Sequence, residues 1–232
     1  MHGSLKNGII FLMIPILSIP VLNRYDLLDE NLNLIDFPIK EILIINNGKE
    51  KYHPKKKDLN IRVLNLPSNL GMSGSWNLTI KLYPHEKFWV FSSADTHWLP
   101  GSLEHLYKIS GESRMVTTTE SFSCFSLGEN VVRTVGLFDE YFYPYIFEDS
   151  DYAERVGIAI KNGHPLEFFH RVVDISVPYG PAQTVLSDPE LFKKSNETYQ
   201  KNKEYWELKK SQNHEIMGEW NIDRRRSQEW LS

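Results

Sequence analysis

The stretch Phe88-Trp-Val-Phe-Ser-Ser-Ala-Asp-Thr-His-Trp-Leu-Pro-Gly-Ser-Leu-Glu104 passes from an apolar run to polar residues, a Pro-Gly turn and the start of a helical pattern. Phe88 to Phe91, all large and apolar, read as a strand buried on both faces. Such strands belong to parallel sheets covered by helices, and ligands of open α/β sheets bind outside the carboxyl ends of the strands. Asp95 falls at that place. A carboxylate there either binds a divalent cation that neutralises a diphosphate or caps the turn leading to Pro100, and the segment alone leaves both open.

Working outward, the same alternation repeats on the amino-terminal side. Ile14 to Val21 reads as a buried strand. Tyr25 to Asp36 places Leu28, Leu32 and Ile35 on one helical face, and Pro38 stops it. Glu41 to Ile45 is a second strand, ended by the turn signal Asn46-Asn47-Gly48. His53 to Asp58 is solvated and basic. Ile61 to Leu66 is a third strand, and Asn69 to Ser75 is a Gly/Ser-rich loop opening a helix that runs to about Leu82. Ser102 to Ile109 is helical. This β-α-β repetition implies an α/β fold: a mainly parallel, doubly wound sheet with helices on both faces.

After Arg114 the spacing shortens. Met115 to Thr119, Phe122 to Leu127 and Val131 to Val135 are strand candidates. Glu148 to Asn162 reads as a helix, with Tyr152, Val156 and Ile160 on one face and Asn162-Gly163 closing it. Leu166 to Phe169 and Val172 to Val177 are short strands, and Tyr179 to Val185 an irregular loop. Ser187 and Glu190 are spaced as a capping box. Beyond them Phe192, Tyr199 and Trp206 recur every seven residues on a Lys-rich helix, whose aromatic stripe packs back onto the domain in the first reading, forms an acceptor-side lid in the second and touches a membrane surface in the third. Arg224 to Arg226 read as tail.

Composition narrows the function. Of 232 residues, 41% are hydrophobic and 24% charged, as in a globular protein that needs no staples. Cys124 is the only cysteine, so a disulfide scaffold is excluded. A net charge of −4 argues against a nucleic-acid partner. The apolar run from Ile9 to Leu22 is broken by Pro15 and Pro20 and is too short to span a bilayer. It is read as a first strand, which leads to the expectation of a cytoplasmic protein with at most peripheral membrane contact. Neither G-x-G-x-x-G nor the P-loop pattern occurs, against a dinucleotide dehydrogenase or a P-loop kinase.

A second candidate segment runs from Gly136 to Arg155. Its acids Glu148, Asp149 and Asp151 gather at a helix N-terminus, behind an aromatic lead-in. They either complement the helix dipole or supply the general base that an inverting sugar transfer needs. With these pieces in order, the chain resembles a family-2 glycosyltransferase of the GT-A fold over roughly residues 12 to 160. The motifs that carry the resemblance are Ile19 to Arg24, Ile44 to Gly48, Asn69 to Gly71 with Asn77, Ala94-Asp95 with Leu99-Pro-Gly101, and Gly136 to Glu140 with Glu148 to Asp151.

The resemblance implies a nucleoside-diphosphate sugar donor, a glycan or lipid-linked saccharide acceptor and a Mn²⁺ or Mg²⁺ ion. It places Pro20, Asn23, Arg24, Asn46, Asn69, Gly71, Asn77 and Ala94 around the nucleotide. Asp95 and His170 would hold the metal, and Asp149 would be the catalytic base. Glu148, Asp151 and Trp98 would meet the acceptor, with Asp151 also a candidate helix cap. The sequence departs from the family pattern where Ala94 replaces an acid and Asn46 stands where an Asp often contacts the base. A lone His beside aromatics, as His170 is, is more often a structural residue than a ligand. Residues 1–185 would form the transferase domain, with a nucleotide-binding part of about 12–110 and an acceptor-side part of about 111–185, and 186–232 a helical extension. The competing classes are a nucleotidyltransferase, which would normally carry a Gly-rich loop after the first strand, and a catalytically degenerate carbohydrate-binding module, which Ala94 favours.

Overall fold

A computed structural model describes residues 12–180 and 183–214. The start of the Ile9–Leu22 run and the Arg224–Arg226 stretch lie outside the described residues. The chain alternates β1 (Ile14–Val21), α1 (Tyr25–Asn33), β2 (Ile39–Asn46), β3 (Ile61–Asn65), α2 (Gly71–Leu82), β4 (Phe88–Ser92), β5 (His97–Trp98) and α3 (Ser102–Ile109). It continues through β6 (Arg114–Thr118), β7 (Ser121–Gly128), α4 (Glu129–Val135), α5 (Glu148–Lys161), β8 (Glu167–Val173), β9 (Ile175–Ser176), α6 (Gln183–Leu186) and α7 (Pro189–Ser211).

Seven strands form one sheet in the order β3-β2-β1-β4-β7-β6-β8, and β5 pairs with β9 in a small second sheet. β1 to β4 run parallel, β7 is antiparallel to both β4 and β6, and β8 is parallel to β6. This is the mainly parallel sheet that the sequence implied. Alternation along β4 shows how it is covered: Phe88 and Val90 enter a core shared with Leu28 and Leu32 of α1 and Leu103 and Leu106 of α3. Trp89 and Phe91 enter the opposite core with Trp76 of α2 and Tyr152 and Val156 of α5.

Four local expectations are corrected. Val131 to Val135 is helical, not a strand, because Val131, Val132 and Val135 fall on one helical face over the second core, and that burial outweighs their β-branching. The first helix stops at Asn33, short of Asp36, whose carboxylate accepts the Gly101 N–H instead. The cap of α7 is Asp188, which accepts from the N–H groups of Glu190 and Leu191, while the Ser187 hydroxyl donates to the Thr184 carbonyl. The loop after Tyr179 contains a short helix, α6.

Candidate active site

The carboxyl ends of β1, β2 and β4 open onto a cavity of about 270 Å³. Pro20 and Val21 come from β1, Asn47 from the turn after β2, and Asn69, Gly71 and Met72 from the entry to α2. Ser93 and Asp95 follow β4. Pro144, Tyr145 and Glu148 close the far side, and Gln183, Val185 and Leu191 cover it from the C-terminal segment. The structure thus brings five of the sequence candidates together: Pro20, Asn69, Gly71, Asp95 and Glu148. A second, larger opening of about 670 Å³ lies at the other end of the sheet, between Lys87 and Glu167. It sits at the amino ends of β4, β6 and β8, away from the strand ends where ligands of such sheets bind.

Gly71 shows why this loop needs glycine. Its φ is +71°, and a Cβ built there would lie 2.6 Å from the Pro144 carbonyl oxygen. The Met72 N–H donates to that same oxygen at 2.8 Å, which ties the start of α2 to the segment before α5.

Two carboxyl groups define the chemistry. Burial pushes the Asp95 carboxyl above its ordinary range, against hydrogen bonds from Ser93 and the Gln183 backbone and the more distant charge of Arg24. Glu148 is displaced further. Burial, then the negative charge of Asp149, push it well above the usual carboxylate range, and its Oε2 has no hydrogen-bond partner among the described residues. It is delivered by Ile146 and Phe147, consecutive left-handed residues with φ of 79° and 74°. Non-glycine residues held there store roughly 1–3 kcal/mol each and persist where the surroundings fix them.

Asp149 and Asp151, at the start of the same helix, do not line the cavity. Asp149 is half-buried outside the cavity lining, and its Oδ1 accepts the Ser150 N–H at 2.7 Å. Asp151 neither caps the helix nor reaches the cavity. It is fully buried against α7, with Arg155 Nε at 2.9 Å, Lys209 Nζ at 2.8 Å and His214 Nδ1 at 2.9 Å. Burial would raise its pKa, but the charges of Arg155 and Lys209 outweigh it and hold the carboxyl below its ordinary value. Lys209 also reaches Asp139 Oδ2 at 2.7 Å, and the Tyr205 hydroxyl donates to the same oxygen at 2.8 Å.

Several expected site residues have internal duties instead. Asn46 donates to the Glu50 carbonyl and Asn65 Oδ1 and accepts from Tyr25 and Gly48, so its amide is used up holding the turn after β2. Asn77 is fully buried and clamps Phe138 through both its backbone N–H and its carbonyl. Trp98 is 3% exposed, and its indole N–H donates to Asn31 in the first core, so it offers no face to an acceptor. Ala94 is a core residue. Asn23 donates to the Thr184 carbonyl, and Arg24 forms a two-point ion pair with Asp26. His170 is on exposed β8, hydrogen-bonded to Thr117, and does not line the cavity. Among the described residues no three His, Cys, Asp or Glu side chains cluster as a metal site.

Sequence reasoning missed Asn47. Its Nδ2 donates to Ser75 and its Oδ1 accepts the Leu70 N–H, and it lines the cavity that Asn46 does not. Strand alternation was the available signal, since neighbouring residues at a strand end face opposite ways. The contributions of Gln183 and Leu191 carried no local signal, because they arrive from far along the chain.

An open, mainly parallel α/β sheet with a carboxylate-bearing cavity at its strand ends has the arrangement in which proteins of this class bind their ligands. The sequence match goes further: residues 17–138, more than half the chain, match the model of glycosyl transferase family 2, and the chain belongs to that family. The match takes in Asp95 and stops before Glu148 and Asp149. None of the curated proteins matches the sequence significantly. Among solved structures, the chain is similar to S. aureus TarS 1–349 in complex with UDP-GlcNAc, at 14% identity over 62% of this chain and 53% of that one, with a TM-score of 0.44. It is also similar to the catalytic domain of Drosophila β1,4-galactosyltransferase 7 in complex with xylobiose, at 10% identity over 72% and 71%, with a TM-score of 0.45. The chain spans about half the length of the TarS 1–349 structures. No helix of the described residues is long and apolar enough to cross a membrane.

Proposed function

We propose that the chain is an inverting glycosyltransferase that moves a sugar from a nucleoside-diphosphate sugar to a hydroxyl of a glycan or lipid-linked acceptor. The observation that carries this reading is the cavity at the strand ends, with Asp95 on the nucleotide side and the Glu148–Asp149 turn on the other. The nucleotide lies against Pro20, Asn47 and Asn69, and its diphosphate faces Asp95.

A divalent cation fits this site as a companion of the substrate. Mg²⁺ and ions like it are commonly held by one or two carboxylates together with substrate phosphates and water, so Asp95 alone suffices on the protein side. When bound, Mn²⁺ or Mg²⁺ supplies positive charge that stabilises the departing diphosphate. Asp149 takes the proton of the acceptor hydroxyl. The acceptor oxygen bonds to the anomeric carbon from the face opposite the nucleotide, the bond from that carbon to the phosphate oxygen breaks, and the nucleoside diphosphate leaves with the electron pair. Glu148, whose carboxyl burial pushes toward its neutral form, faces the reacting sugar.

Incubation with UDP-, GDP- and dTDP-sugars and Mn²⁺, following nucleotide release, tests the reading. Release of a nucleoside diphosphate is expected from one donor class. Pyrophosphate release from a nucleoside triphosphate would make the protein a nucleotidyltransferase, and binding without release would make it a degenerate module. Replacing Asp95 by Ala is expected to weaken nucleotide binding in Mn²⁺, and unchanged affinity would remove the metal role.

A further inference from the structure

A single asparagine on the C-terminal helix holds the turn that presents Glu148 and Asp149. Asn202 stands in the middle of α7, is 1% exposed, and turns its side-chain amide toward the segment before α5. There its Nδ2 meets three backbone carbonyls: Tyr145 at 2.7 Å, and Phe142 and Ile146 at 3.2 Å each. Three carbonyls converging on one amide are what a chain needs when it bends through two left-handed residues and cannot pair its own carbonyls. Ile146 and Phe147 are those residues, and Glu148 is the next.

Asparagine is a poor choice for the interior of a 23-residue helix on propensity alone, and its Oδ1 is left without a partner among the described residues. The cost is explained by the Nδ2 side. The surroundings act together with it. Phe147 lies between Tyr199 and Trp206, at ring distances of 5.3 and 4.9 Å, on the same face of α7 as Asn202. One turn further on, Lys209 anchors the helix to Asp139 and Asp151. From the opposite side the Met72 N–H holds the Pro144 carbonyl. The turn is therefore gripped between the entry to α2 and one face of α7.

We infer that Asn202 is a positioning residue for glycosyl transfer: its amide fixes the 142–147 backbone so that Glu148 and Asp149 meet the reacting groups in the right place. It touches neither donor nor acceptor and acts through the turn. On this account α7, far along the chain from the family match, is a working part of the active site. The inference rests on the reading of Glu148 and Asp149 given under the proposed function.

The sharpest variant is Asn202→Asp. It keeps the shape but turns an oxygen toward three carbonyl oxygens, whichever way the group is rotated. At a temperature where the variant is fully folded, kcat is expected to fall by about 10²-fold, since small misplacements of reacting groups cost that much. The KM for the sugar nucleotide should stay within about threefold of wild type, because the nucleotide side is untouched. Amide hydrogen exchange should quicken in residues 143–149 and stay unchanged in β1, β2 and β4. A purely structural role would lower the melting temperature and leave kcat of the folded protein at the wild-type value, and that result overturns the inference. If Asn202→Asp does not fold, Asn202→Ala, which removes the donor without adding a charge, is read by the same two measurements. If the wild-type protein turns over no sugar nucleotide, the proposed reaction has failed, and exchange alone decides: quickening confined to 143–149 upholds the clamp, and unchanged exchange there overturns it.

Discussion

Glu148 and Asp151 are one helical turn apart on α5, and both are buried, yet their surroundings drive them in opposite directions. Asp151 faces α7, where two cations and an imidazole surround it and hold its carboxyl low. Glu148 faces the cavity with an unpartnered oxygen and a like charge beside it, and its carboxyl is pushed high. Burial penalises the charge of both; the partners decide the outcome. A fold keeps a partnered carboxylate for its own cohesion, and an unpartnered one is a cost that makes sense where a ligand arrives.

The largest effect should come from breaking the partnered side. Asp151→Asn leaves Lys209 and Arg155 short of a counter-charge in a dry place and is expected to cost about 3–5 kcal/mol in denaturant unfolding. The folded pKa is depressed, so the contribution of Asp151 is present above its unfolded value of about 3.9 and is lost as pH falls through the lower folded value. A wild-type minus variant difference that failed to shrink in that acid window would break the comparison.

A smaller loss is expected for Trp98→Phe. The substitution removes the indole N–H and leaves Asn31 Oδ1 unsatisfied in the core, which costs about 2 kcal/mol. Acceptor KM should not move. A raised acceptor KM at unchanged stability would return Trp98 to the acceptor site.

The smallest effect has the opposite sign. Glu148→Gln should stabilise the protein by about 1 kcal/mol, because an amide pays no charge-burial penalty. Here the folded pKa is raised, so the wild type is fully stable below the unfolded value of about 4.3 and loses stability as pH rises through the folded value. The two proteins should therefore melt together in acid and diverge toward neutral pH. Equal melting temperatures at every pH would show that Glu148 has a partner after all.

The same contrast explains what could be read from the sequence. The strands of the first half were legible because each is a short apolar run bounded by turn residues, and β4 carries Asp95 to its end in plain sequence order. The α5 acids were legible as a group, but not their division of labour. Helix periodicity shows which residues share a face, while what Asp151 meets there is set by Lys209 and His214 at the far end of the chain. Asn46 was preferred to Asn47 because it stands where the family pattern often has an Asp, although strand alternation turns the two opposite ways, Asn46 toward Asn65 and Asn47 toward the cavity. α4 was read as a strand because valine favours strands, until burial of one helical face decided otherwise.

The most direct test of the account is the turnover of Asp149→Asn beside that of Asp151→Asn, with donor binding measured for both. Asparagine keeps the shape of the base but cannot take the proton. Asp149→Asn is expected to bind the sugar nucleotide almost normally and to lose turnover by about 10²–10⁴-fold, whereas Asp151→Asn should lose activity only as far as it loses folded protein. Near-normal turnover in Asp149→Asn, with Asp151→Asn folded but inactive, would contradict the account and move the base two residues along the helix.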